Sequence, residues 1–141
     1  MIEPMYTDDV PKIRLSLPKT IQKVSCGLFG VSEDFIEKYQ SLDARFVKNR
    51  ESTFFFEAAG SSMEPTIVAG EILVVDRSID AHHNRVCIVA YEGELLCKRV
   101  FVGRDRVLLS SDNKAFKKIV VYDQQSATVW GVVVARCGEV K

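Results

Sequence analysis

The pattern of apolar and polar positions changes near residue 50. Before it, Pro4, Pro11 and Pro18 recur, and Gly27 and Gly30 follow. Prolines at that density forbid a regular helix and favour extended segments, so residues 1–30 read as an N-terminal arm. Residues 31–40 are the best helix candidate. Val31, Phe35, Ile36 and Tyr39 fall on one face at helical spacing, Ser32 can cap, and Glu33 and Asp34 sit in the first turn. A second, weaker helical turn covers residues 42–47, which makes 31–50 a short helical connector.

From residue 51 the pattern becomes that of strands. Runs at 53–58, 71–76, 85–91, 94–101, 106–110, 118–122 and 128–137 are aromatic or rich in Val, Ile and Leu. Turn residues separate them at roughly 8–12-residue spacing, the sign of an all-β sandwich or barrel. The fold class is therefore mainly β, with residues 51–141 as one β-rich domain. There is no internal repeat and no low-complexity tract.

Composition narrows the function classes. Lys and Arg number 19 and so do Asp and Glu, giving a formal net charge of zero. That argues against strong direct DNA binding through a broad basic face, but not against a partner that sits on DNA. No apolar run approaches the ~18–20 residues of a membrane span. The first nine residues carry three acidic side chains and no apolar core, unlike a secretory signal. Cys26, Cys87, Cys97 and Cys137 show no C-x-x-C spacing, and the simplest reading is a cytoplasmic chain with reduced thiols. Cys87 and Cys97 read as buried small hydrophobes, and Trp130 as core or dimer interface. His82-His83 lies in a polar stretch with no third ligand apparent, so no metal and no cofactor is expected.

Two segments have chemistry. Gly60-Ser61-Ser62-Met63-Glu64-Pro65-Thr66 follows a strand; Gly60 permits unusual backbone angles and Pro65 stops a helix. A serine in such a turn has an exposed hydroxyl with backbone N–H groups beside it, as a nucleophile with an oxyanion hole requires. A polar surface turn would look the same. The second segment is Cys97-Lys98-Arg99. If Glu92-Gly93 is a two-residue hairpin turn, Tyr91 opposes Glu94, Val89 opposes Leu96 and Cys87 opposes Lys98. Lys98 then stands alone on a face of Cys87, Val89, Leu96 and Val100. Burial lowers a lysine pKa, and reaching ~7 from ~10.4 corresponds to about 4–5 kcal/mol of desolvation. A neutral amine beside a serine can act as general base. The other reading is a lysine that snorkels to solvent, and Arg99, among Leu95, Cys97 and Phe101, puts a second charge on the opposite face.

The Gly60–Thr66 run, followed by Glu71-Ile72-Leu73-Val74-Val75-Asp76, resembles the nucleophile segment of the LexA/UmuD family of Ser-Lys autopeptidases. Glu94-Leu95-Leu96-Cys97-Lys98-Arg99-Val100 resembles the family's lysine strand, 36 residues beyond Ser62. Residues 109–116 resemble its next strand and Asn-containing turn, and Val129-Trp130-Gly131-Val132-Val133 its closing strand. UmuD-type members cut themselves at Cys-Gly; Cys26-Gly27 is the only such pair besides Cys137-Gly138, and Cys26 lies 36 residues before Ser62. Ser61 stands where UmuD proteins usually have Asp. The Ser-Met-Glu-Pro-Thr run is shared with LexA-like repressors and with membrane signal peptidases, but residues 1–50 are too short and Pro-broken for a LexA-type helix-turn-helix.

The resemblance implies a β-rich peptidase domain preceded by an arm that carries the cleavage site. It implies Ser62 as nucleophile, Lys98 as base, cleavage at Cys26-Gly27, and an oxyanion held by the N–H groups of Ser61 and Ser62. It also implies a cytoplasmic homodimer of the SOS response, cleaved under stimulation by a RecA filament on single-stranded DNA. The trimmed dimer would then serve a UmuC-type translesion polymerase in DNA-damage mutagenesis. A cleavage-inactive binding module of the same fold, or a signal-peptidase-like endopeptidase, are the alternatives.

Overall fold

The computed structural model describes residues 3–5, 17–20 and 36–141, with side chains from Ser41 onward. In chain order the elements are β1 (Glu3–Met5), β2 (Leu17–Thr20), β3 (Ile36–Gln40), α1 (Leu42–Phe46), β4 (Thr53–Glu57), β5 (Ile72–Asp76), β6 (Arg85–Tyr91), β7 (Glu94–Val102), β8 (Val107–Ser110), β9 (Ile119–Val121) and β10 (Ala127–Cys137). The chain forms two compact units, Val10–Lys48 and a larger one made of Met1–Asp9 with Asn49–Lys141.

In the smaller unit β2 pairs antiparallel with β3, Pro18 opposite Tyr39, and α1 follows. The helix expected over 31–40 is therefore a strand at Ile36–Gln40, while residues 31–35 lie outside the described residues. Ile36 and Tyr39 suit a strand as well as a helix face, and a partner segment far back in sequence decides between them. The short helical turn at 42–47 is present as α1.

The larger unit is an eight-stranded antiparallel sheet in the order β1-β4-β5-β10-β6-β7-β8-β9. The seven strands read from the sequence are β4 to β10, each within one or two residues at its ends. β1 is a strand within the arm expected only to be extended. It adds at the edge beside β4 with Pro4 opposite Phe56, where a residue lacking an N–H is tolerated. The first residues of the arm thus belong with the sheet.

The β6–β7 hairpin sets the lysine's address. Glu92 and Gly93 have φ of 49° and 78°, the left-handed pair of a tight two-residue turn. The register runs Tyr91 to Glu94, Val89 to Leu96 and Cys87 to Lys98, as the alternation predicts. Alternate β6 residues feed two cores. Ile88 joins Phe56, Met63, Ile67, Leu73 and Val75, while Cys87 and Val89 join Val100, Leu109, Val121 and Val132. In β10 the register breaks between Val129 and Gly131. That bulge switches the parity, so Val129 and Val132 reach the same core and Trp130 the other. Gly131 sits at the closest approach, since a Cβ there would lie 2.6 Å from Val75 Cγ1.

Candidate active site

Between β4 and β5 the chain makes a turn over residues 60–66. Its base is closed by Ala58 N–H to Glu71 O and Gly70 N–H to Ala58 O, both at 2.8 Å. Met63 and Ile67 plug into the core below it, and Gly60 takes the left-handed φ of 80° that reverses the chain. The Glu64–Pro65 bond is cis. With its apolar residues pointing down, the turn leaves Ser61 exposed and Ser62 half-buried on top. Neither the Ser61 nor the Ser62 N–H donates to another described residue.

Lys98 lies in the middle of β7 and is also half-buried. Its Nζ donates to Ser111 Oγ at 2.7 Å and stands 6.0 Å from the centre of the Phe116 ring. Burial pulls its pKa below the ordinary lysine range. The flanking thiols move the other way: burial pushes Cys87 up to about 11 and Cys97 up to about 12, so neither is a thiolate at neutral pH.

Arg99 projects to the other side and is neutralised there. Its Nε and Nη2 donate to Asp112 Oδ1 and Oδ2, both at 2.9 Å, and Nη1 donates to Asn84 O at 3.1 Å. Asp112 also accepts from Thr66 Oγ1 at 2.5 Å. The Arg99 hydrogen bonds hold the Asp112 carboxyl below the usual carboxylate range, with Thr66 adding to the effect.

One three-residue segment therefore meets both parts of the site. Ser111, Asp112 and Asn113 follow β8. Ser111 engages Lys98, Asp112 ties Arg99 to Thr66, and Asn113 donates its N–H to Ser62 O and its Nδ2 to Ser61 O, both at 3.0 Å. Among the described residues no hydrogen bond joins Ser62 directly to Lys98. Cys26 and Gly27 lie outside the described residues. Nothing local in the sequence marks Ser111, Asp112 and Asn113 as contributors to the site beyond a polar run, Ser110 to Lys114, that breaks an apolar alternation.

Elsewhere, Trp130 packs edge-on against Phe54 and Phe56 at 5.1 and 5.0 Å, with the Arg77 guanidinium 4.3 Å over its ring. His82 and His83 engage backbone groups, Ile79 O and the Val102 N–H. Among the described residues no cluster of His, Cys, Asp and Glu could hold a metal, and no helix is long and apolar enough to cross a membrane.

Residues 19–134 match the family described as Peptidase S24-like. Protein MucA of Salmonella typhimurium and Protein MucA of Escherichia coli are each 32% identical over 120 residues, 84% of this chain and 82% of the relative. The LexA repressor of Geobacillus sp. (strain WCH70) is 31% identical over 130 residues, 91% of this chain and 59% of that repressor.

Proposed function

The chain belongs to the S24-like peptidase family, and on that premise we propose that it is a serine endopeptidase that cuts itself between Cys26 and Gly27, with Ser62 as nucleophile and Lys98 as general base. The observation that supports this best is the shared segment: residues 111–113 hydrogen-bond the Ser62 turn at one end and Lys98 at the other.

Neutral Lys98 takes the proton of Ser62 Oγ as that oxygen attacks the carbonyl carbon of Cys26. The N–H groups of Ser61 and Ser62, which donate to no other described residue, meet the developing oxyanion. Collapse expels the Gly27 amine, which takes the proton from Lys98, and water then hydrolyses the Ser62 ester. Glycine after the bond keeps a side chain out of the approach. A tethered substrate gives high effective molarity, so control lies in how often the arm occupies the site and in the charge on Lys98.

Likeness to MucA supports a UmuD-type role in the SOS response. In that role a RecA filament on single-stranded DNA stimulates cleavage in the cytoplasm, and the trimmed homodimer joins a UmuC-type translesion polymerase. Incubating the purified chain with and without such a filament, followed by intact-mass analysis, tests both halves. A break at Cys26-Gly27 that the filament accelerates is expected. No break under either condition, in folded protein, would leave the cleavage-inactive binding module as the reading.

A further inference from the structure

We propose that Ser111 is the positioning residue of the base: its buried hydroxyl oxygen takes one hydrogen of the Lys98 amine and so fixes the direction in which that nitrogen can receive a proton. The inference rests on the Ser62–Lys98 reading and goes one residue further.

Lysine carries its amine on four rotatable carbons, and a neutral amine has a single lone pair. A base of this kind works only if the lone pair is aimed at the proton it must take, and a displacement of ~1 Å can cost about 100-fold in rate. The described residues around Lys98 offer little other guidance. Cys87 faces it across the hairpin and Cys97 precedes it, both held as neutral thiols. The Phe116 ring stands at 6.0 Å. The neighbouring charges, Arg99 and Asp112, are bonded to one another. Among the described residues Lys98 makes no ion pair.

Among the described residues Ser111 is therefore the polar group that holds Nζ, at 2.7 Å, and it is itself only 8% exposed. Its chemistry suits the task. A carboxylate in that position would keep the lysine charged, whereas a hydroxyl also accepts from the neutral amine and favours the ammonium only weakly. Its backbone placement suits it too. Asn113, two residues on, holds the carbonyls of Ser61 and Ser62, so the segment that aims the base also seats the nucleophile turn.

The test follows self-cleavage of the full chain by intact mass at rising pH, for wild type and for Ser111→Ala, Ser111→Thr, Ser62→Ala and Lys98→Ala, with melting curves alongside. Ser111→Ala should lower the plateau rate about 10–100-fold. It should also move the midpoint of the pH profile downward, because the lost acceptor favoured the ammonium form. Ser111→Thr, which keeps the hydroxyl, should restore most of the rate. A merely structural serine would instead lower the melting temperature and leave the midpoint in place, and that result would overturn the inference. Should Ser111→Ala not fold, Ser111→Cys, of similar size but a poor acceptor, is expected to show the same rate loss and midpoint shift, and wild-type behaviour would overturn the inference. A wild-type profile in Ser111→Ala, with Ser62→Ala and Lys98→Ala inactive, would overturn the Ser111 inference alone. Cutting by Ser62→Ala or Lys98→Ala would overturn the underlying dyad and this inference with it.

Discussion

Removing the Asp112 carboxylate by substitution with alanine strips Arg99 of its bidentate partner and Thr66 of its acceptor. The size of the effect can be bracketed. Hydrogen bonds to charged groups contribute about 1.5–3 kcal/mol each in favourable cases. A fully exposed ion pair contributes only ~0.2–1 kcal/mol. Breaking a fully buried one costs ~3–5 kcal/mol. Here the Arg99 and Asp112 side chains are 28% and 14% exposed, so the pair lies between these limits and nearer the buried one. Asp112→Ala should cost about 2–3 kcal/mol of stability, and a double-mutant cycle with Arg99→Met should show about 1–2 kcal/mol of coupling. Urea unfolding at neutral pH reads both quantities. The pH dependence has a fixed sign. Because Arg99 holds the folded-state pKa of Asp112 below its unfolded value, the stabilisation is fully present above the ordinary ~3.9 and disappears as pH falls through the lower folded value. The gap between wild type and Asp112→Ala should therefore narrow in acid. Coupling below about 0.5 kcal/mol would refute the claim that this pair braces the site.

Other perturbations have equally definite outcomes. Gly131→Ala places a Cβ 2.6 Å from Val75 Cγ1 in a fully buried contact, and overpacking of this kind should cost about 1–3 kcal/mol in urea unfolding. Self-cleavage should accelerate as pH rises from neutral, with a midpoint below that of an ordinary lysine because burial disfavours the Lys98 ammonium; a flat profile in folded protein would contradict a lysine base. A thiol reagent at neutral pH should label exposed Cys137 quickly in the folded protein, half-buried Cys97 slowly, and buried Cys87 only after unfolding, since burial keeps the last two protonated.

The parts of the fold that are legible in the sequence are those set by local pattern. The run at Arg85–Tyr91 and its turn at Glu92-Gly93 carry period-two alternation and a glycine at a left-handed position, so both the strand and the register of Lys98 against Cys87 follow from the residues alone. Ile36–Gln40 is different. Its apolar spacing fits a helix or a strand, and the pairing with Leu17–Thr20 comes from outside any local window. Pro4 argues correctly for extended chain but cannot say that the strand will find Phe56 at a sheet edge. The same limit applies to the candidate site. Ser62 and Lys98 stand out because a turn and a lone charge in an apolar face are local features. The brace does not, because Thr66 and Asp112 are 46 residues apart on different turns, and Arg99 reaches Asp112 only when β7 and β8 pair. Arg99 looks like a blemish on its strand until Asp112 is placed against it.

The most direct measurement is the mass of the products released by Ser62→Ala protein, purified free of contaminating protease and held at alkaline pH beside wild type. Wild type should yield a 115-residue fragment beginning at Gly27. Ser62→Ala alone should stay intact, yet be cut when mixed with a variant whose Gly27 is replaced by a bulky residue, because that variant keeps Ser62 and Lys98. If Ser62→Ala alone releases the 115-residue fragment, Ser62 is not the nucleophile and the proposed mechanism is wrong.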